Sequence, residues 1–208
     1  MSQQNLRPNT TFESAACFKG YRFIAGVDEA GRGPLAGPVV ACACILPENL
    51  SSIGIADSKQ LSEKERLEVY KVLLSTPGVH YGVAVVDSIL IDQINILQAT
   101  FEAMIRAVAV LSVRPDYLLV DGNLLPKIDI PKESVIGGDA LVLSIAAASI
   151  IAKVTRDALM IGYHARFPEY GFDRHKGYGT RAHLEAIEKW GPSPIHRMSF
   201  APLKNRAD

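Results

Sequence analysis

The chain has 208 residues, 48% hydrophobic and 21% charged, the balance of a globular protein with a core and not of a disordered or fibrous one. Its 22 basic and 22 acidic residues cancel, so the net charge does not announce a nucleic-acid partner as a strongly basic domain does. The halves differ, however: residues 1–149 hold 12 Lys and Arg against 16 Asp and Glu, and residues 150–208 hold 10 against 6, which leaves room for a basic face near the C-terminus.

In chain order, residues 1–20 are polar and aperiodic and read as a flexible leader outside the core. They carry no basic start, apolar stretch or small-residue cleavage site of a signal peptide. Two apolar runs follow, Tyr21 to Val27 and Val39 to Leu46, separated by the Gly/Pro-rich turn Gly31 to Pro38; they read as a hairpin or strand pair. Cys42 and Cys44 alternate within the second run, and with Cys17 they make an odd number and no disulfide framework. No second Cys/His pair at zinc spacing follows. Reduced thiols suit the cytoplasm.

Ser62 with Glu65 forms a capping-box pattern ahead of a helical apolar face from Leu67 to Leu74, and Pro77-Gly78 stops it. Val79 to Val86 is a strand pattern, and Asp92 to Leu111 is a helix with Ile94, Leu97, Phe101, Met104, Ile105 and Val108 on one face. Tyr117 to Val120 is a short buried strand ending in Asp121-Gly122. A Pro-marked loop then runs to Gly137-Gly138-Asp139, and a long helix is predicted from Leu141 to Phe167. Its apolar core, Ala140 to Ala152, is broken by Ser144 and Ser149 and is short of the roughly 20 residues that span a bilayer, so no membrane association is expected. A Gly-rich basic loop, Gly171 to Thr180, leads into a helix from Arg181 to Trp190, ended by Pro192 and Pro194. With no repeat or linker, the class is α/β with a mixed sheet, and residues 21–208 read as a single domain.

Acidic residues stand where apolar strands end: Asp28-Glu29 after the first, Asp121 after Tyr117 to Val120, and Asp139 after a double glycine. Carboxylates gathered at one sheet edge repel one another unless cations neutralise them, and such hard oxygen donors suit Mg²⁺ or Mn²⁺. Two ions about 4 Å apart can activate water and stabilise a leaving oxygen in phosphodiester hydrolysis. Each acid taken singly also reads as a turn residue or cap. No phosphate-binding loop of the Gly-x-x-x-x-Gly-Lys-Ser/Thr kind occurs, nor Gly-x-Ser-x-Gly. The turn Gly31-Arg32-Gly33 reads either as a purely structural turn or as one whose backbone groups approach a ligand while Arg32 contacts phosphate, and backbone near a scissile phosphate can sense a ribose 2′-hydroxyl.

Gly26-Val27-Asp28-Glu29-Ala30-Gly31-Arg32-Gly33-Pro34 resembles the signature opening of the ribonuclease HII family. It is followed in family order by Asp57-Ser58-Lys59, Val120-Asp121-Gly122, Gly138-Asp139, Ser144 to Asp157, His175-Lys176-Gly177-Tyr178 and His196-Arg197 with Ser199-Phe200. The match covers about residues 21–203. The resemblance implies a ribonuclease-H-like mixed sheet flanked by helices, with a C-terminal helical segment. It also implies a metal-dependent endonuclease that uses Mg²⁺ or Mn²⁺, two ions during catalysis. Such an enzyme cuts 5′ of a ribonucleotide in RNA–DNA hybrids and at single ribonucleotides in duplex DNA, leaving a 3′-hydroxyl and a 5′-phosphate. Carried over residue by residue, Asp28, Glu29, Asp121 and Asp139 are the metal-binding and catalytic carboxylates. Gly31, Arg32 and Gly33 recognise the RNA–DNA junction, and Tyr178 contacts the sugar there. Lys59, Lys153, Lys176, His196 and Arg197 are candidate phosphate contacts. Asn95 binds substrate backbone or caps local structure, and Asp157 is a neighbour of the metal site or the partner of an intrahelical salt bridge.

Two other classes share part of this pattern. A small-molecule phosphatase has the acids but no need of the loop at 174–181, and a silent nucleic-acid-binding module keeps the loop without needing the acids. No protein partner is legible.

Overall fold

The computed structural model describes residues 8–47, 55 and 61–206. Five strands form one sheet: β1 (Ile24–Ala30), β2 (Val39–Ile45), β3 (His80–Val86), β4 (Tyr117–Asp121) and β5 (Lys132–Val135). Their order is β3-β2-β1-β4-β5. The first three are joined as an antiparallel meander, whereas β4 lies parallel to β1 and β5 parallel to β4. Helices are α1 (Thr11–Phe18), α2 (Glu63–Ser75), α3 (Ser88–Ala109), α4 (Gly138–Leu141), α5 (Leu143–Arg166), α6 (Phe172–His175) and α7 (Arg181–Trp190).

Strand alternation distributes the core on two faces. Ala25, Val27, Val39, Ala41 and Ala43 pack under α3 with Ala99, Ala103 and Met104. Val40, Cys42 and Cys44 face Ala147, Ile150 and Ile151 of α5 and Leu73 of α2. A Cβ on Gly26 would lie 2.1 Å from the Ser144 carbonyl carbon, so only glycine lets α5 rest directly on β1. The loop after α5 encloses a third cluster in which Leu35, Met160, Phe172 and Ile187 meet. The expected ribonuclease-H-like layering is thus present, with α6, α7 and the Leu203–Arg206 turn as the C-terminal helical segment.

Four sequence expectations need correction. The second half of the expected leader is helix α1. It buries Ala16, and its Glu13 accepts hydrogen bonds from the Ser144 N–H and hydroxyl at 2.8 Å, capping α5. The expected loop after Asp121 contains β5, a four-residue edge strand with only Val135 buried, too short to show an alternation. The long helix is interrupted at Val142, in extended conformation, where the flanking Leu141 carbonyl and Leu143 N–H bond to the backbone of Asn9. The helix expected from Asp92 begins at Ser88 and is broken at Asn95 (φ 66°, ψ 164°), whose Oδ1 accepts from the N–H groups of Leu97 and Gln98 and caps the longer segment. The Ser62 capping box is complete, and the three cysteines are free thiols.

Candidate active site

The parallel pairing of β1 with β4 sets Val27 opposite Val120, so the next residues, Asp28 and Asp121, stand side by side at the same sheet edge. Asp28 points toward α5, as does its β2 neighbour Cys42. Glu29, the following residue, points to the α3 side and reaches the same edge. Asp121 Oδ1 accepts the Gly138 N–H at 2.7 Å. That bond ties the end of β4 to the glycine turn and brings the next residue, Asp139, to the acids. All four line one cavity of about 290 Å³, together with Gly31, Arg66, Ser149, Lys153, Arg156 and Tyr178.

The electrostatics follow from crowding. Burial pushes the Asp28 carboxyl well above its usual range, and the charges of Glu29 and Asp121 push the same way, against hydrogen bonds from Ser149 and the Glu29 N–H. Glu29 is also raised by burial, with Arg32 opposing. The Arg32–Glu29 ion pair spans 3.3 Å with Arg32 half exposed, a weak tie that a ligand can exchange. Among the described residues no three of these side chains are gathered into a ready-made metal cage. Instead Asp28 is bonded to its neighbouring amide, Asp121 to Gly138 and Glu29 to Arg32. The donor set is all carboxylate oxygen, with no imidazole or thiol in the cavity lining, and this fits a hard divalent cation.

The other predicted contacts divide. Tyr178 is 46% exposed, and its Cε1 lies 3.7 Å from where a Cβ on Gly33 would sit, so turn and ring form one wall. Lys153 lines the cavity while pairing with Asp157 at 2.8 Å, which makes Asp157 an intrahelical salt-bridge partner. Lys176 adopts φ 50° and its ammonium donates to the Asp173 carbonyl. Asn95 is exposed on the surface and caps its own helix. Lys59, with the Asp57-Ser58-Lys59 block, lies outside the described residues.

His196 and Arg197 are not phosphate contacts, because both are buried, at 3% and 0% exposure. Arg197 donates to the carbonyls of Gly31, Arg32 and Gly37. His196 belongs to a polar chain whose tautomers are fixed by its ends. The Ser193 N–H donates to His196 Nδ1 at 2.8 Å, the two Nε2 atoms of His196 and His183 lie 3.0 Å apart, and His183 Nδ1 meets the Tyr178 carbonyl at 2.9 Å. A carbonyl only accepts and an amide only donates, so each ring carries one proton and is neutral. Sequence reasoning missed Arg66, Ser149 and Arg156. Their only signal is polarity where apolar residues are expected, as with Ser149 inside Ala146 to Ala152.

The mixed sheet with acids at the ends of its central strands defines the class, a ribonuclease-H-like α/β protein. The Ribonuclease HII family model matches residues 25–203. A Ribonuclease HII from Chlamydia muridarum is 58% identical over 199 residues, covering 96% of this chain and 91% of that one. The ribonuclease H2 of Pyrococcus horikoshii OT3 superposes with a TM-score of 0.74 at 28% identity, over 88% of this chain and 96% of that one. Bst-RNase HIII, crystallised in complex with Mn²⁺, shares the fold with a TM-score of 0.65 at 19% identity, over 88% and 68%. This chain belongs to the ribonuclease HII family, whose nucleases cleave RNA in RNA–DNA hybrids. No helix among the described residues is long and apolar enough to cross a membrane.

Proposed function

We propose that the cavity hydrolyses the phosphodiester on the 5′ side of a ribonucleotide, in RNA–DNA hybrids and at single ribonucleotides embedded in duplex DNA, leaving a 3′-hydroxyl and a 5′-phosphate. The observation that carries this reading is the meeting of Asp28, Glu29, Asp121 and Asp139 with Gly31 and Tyr178 on one cavity. The four carboxylates would hold Mg²⁺ or Mn²⁺, and a bound pair of such ions supplies activation of the attacking water and stabilisation of the leaving oxygen. Mn²⁺ in the Bst-RNase HIII crystal supports a divalent ion in this fold.

The chain's own residues supply position. Ser149 holds the Asp28 carboxylate by a hydrogen bond, and Arg32 exchanges Glu29 for a substrate phosphate. The exposed Arg32 and Gly33 offer backbone to the 2′-hydroxyl, and the Tyr178 ring packs on the adjoining sugar. Residues 21–208 work as one catalytic domain, to which α1 adds its contact with α5. The buried thiols Cys42 and Cys44 support work in the reducing cytoplasm.

The test is incubation with Mg²⁺ or Mn²⁺ and a duplex carrying one ribonucleotide, beside an RNA–DNA hybrid, an all-DNA duplex and a generic phosphate ester. Cleavage confined to the first two is expected. Turnover of the ester alone would make the protein a small-molecule phosphatase.

A further inference from the structure

The Gly31–Pro38 turn leaves β1 at Ala30 and joins β2 at Val39, so its carbonyls lie outside the strand ladder and must find other donors. The Leu35 carbonyl takes the Arg197 backbone N–H at 2.9 Å, and two arginine side chains serve most of the rest. Arg197 Nη2, Nη1 and Nε donate to the carbonyls of Gly31, Arg32 and Gly37 at 2.6, 2.9 and 3.0 Å. Arg156 donates to Pro38, Ala36 and Lys176 at 3.0, 3.2 and 3.0 Å. Both side chains are 0% exposed, and neither is in an ion pair with a carboxylate among the described residues. Two buried cations without a touching counter-charge are a costly way to fill space, and apolar side chains would pack more cheaply. Three fixed donors apiece, in the plane of a guanidinium, instead determine the path of a turn.

In a planar trans peptide the C=O of one residue and the N–H of the next point in opposite directions. Drawing the Gly31 and Arg32 carbonyls inward onto Arg197 therefore turns the N–H groups of Arg32 and Gly33 outward. Both residues are exposed, and neither N–H donates to another group among the described residues. Consecutive outward amides are a small anion- and hydroxyl-binding device.

We infer that Arg197 is a positioning residue for ribonucleotide recognition: it presets the Gly31–Gly33 turn so that the amides of Arg32 and Gly33 meet the scissile nucleotide. This rests on the reading of the cavity as a ribonucleotide-directed nuclease. The role differs from a phosphate contact, because the guanidinium is out of reach of substrate, and from general packing, because its loss alters turnover rather than affinity.

The experiment compares wild type with Arg197→Lys, which keeps the charge and loses the three-point fork, on a duplex with one ribonucleotide at saturating Mg²⁺. The expected result is a folded variant whose kcat falls on the order of tenfold to a hundredfold, since displacement of a positioning group by an ångström has that scale of effect. KM should stay within about threefold. Wild-type kcat in folded Arg197→Lys, or a rise in KM alone, overturns the inference. A second measurement stands whether or not the variant folds. The backbone amide resonances of Arg32 and Gly33 in the wild-type chain, without divalent ion, should shift more with the ribonucleotide duplex than with an all-DNA duplex. Equal shifts overturn the inference too. If the wild type cuts neither duplex, it is the nuclease reading that falls; if it cuts the ribonucleotide duplex while the amides respond equally, only the role of Arg197 does.

Discussion

The two walls of the cavity are built by different means. On the acid wall, Asp28 and Asp121 are placed by strand register, the Val27–Val120 pairing one step behind them, and the β1–β4 ladder supplies the rigidity. On the opposite wall, the Gly31–Pro38 turn and the Gly171–Thr180 loop have no ladder beyond the isolated Ala36–His196 bridge and the backbone bonds of Leu35 and Gly37 around it. Their backbone is held by buried side chains: Arg156 bonded to Pro38, Ala36 and Lys176, Arg197 to Gly31, Arg32 and Gly37, and His183 to Tyr178. A sheet can present charges that repel one another because its hydrogen bonds do not depend on them. A turn that must present backbone needs donors from elsewhere, and those donors are as necessary as the groups they hold.

The comparison is broken most severely by neutralising the acid wall. Asp28→Asn and Asp121→Asn should each abolish cleavage while the protein stays folded. In EDTA, Asp28→Asn should melt no lower than wild type, because the substitution removes a buried charge raised in pKa by burial and by its neighbours Glu29 and Asp121. A large drop in melting temperature for Asp28→Asn would show that the carboxylate holds the fold together.

On the other wall the two glycines separate architecture from recognition. Gly31 has φ +97°, and its added Cβ would lie 2.0 Å from Arg156 Nε and 2.7 Å from the Pro38 carbonyl oxygen. Gly31→Ala should therefore cost about 2 kcal/mol or more in stability, seen in denaturant unfolding. At Gly33, among the described residues, a Cβ meets only Tyr178 within 4 Å, at 3.7 Å. Gly33→Ala should leave unfolding unchanged and lower cleavage at a single ribonucleotide. Tyr178→Ala should hurt that substrate more than a continuous hybrid, and equal losses on both would reduce Tyr178 to a general binding residue.

The smallest effect concerns pH. Burial pushes both His183 and His196 down to about 4, with His175 also opposing protonation of His183, and His183 that of His196. Their unfolded-state values lie near 6.5, so the folded state favours the neutral form. The stabilisation is complete above about pH 6.5 and fades as pH falls toward 4, because the unfolded chain takes up protons first. Melting temperatures between pH 7 and 4.5 should fall more steeply for wild type than for His183→Gln with His196→Gln. Parallel curves would remove the histidines from the account.

This division also explains what could be read from sequence. Periodicity and caps reveal elements held by local rules, so β1 to β4, the Ser62 capping box and the helix from Arg181 were legible, and the acids were visible as charges at the ends of apolar runs. Strand β5 escaped because four residues with one buried side chain carry no pattern. Helix α1 escaped because its order depends on a distant partner, Ser144. Arg197 and His196 were misread as surface contacts because a basic residue near a Gly-rich loop looks the same in sequence whether it meets phosphate or a buried carbonyl. Only the fold shows that the carbonyls of Gly31 and Arg32, some 165 residues away, take up that guanidinium. Asp157 was legible as the partner of an intrahelical salt bridge, and its 2.8 Å bond to Lys153 is that bridge.

The central claim is that the acids of β1 and β4 carry out ribonucleotide-directed hydrolysis, and the most direct measurement is the position and end chemistry of cleavage in a duplex containing one ribonucleotide. Wild type and Asp157→Asn should both cut at its 5′ side with Mg²⁺ or Mn²⁺, giving a 3′-hydroxyl and a 5′-phosphate, while folded Asp121→Asn should not cut. Cleavage by Asp121→Asn at the wild-type rate, or loss of activity in Asp157→Asn alone, would contradict the account.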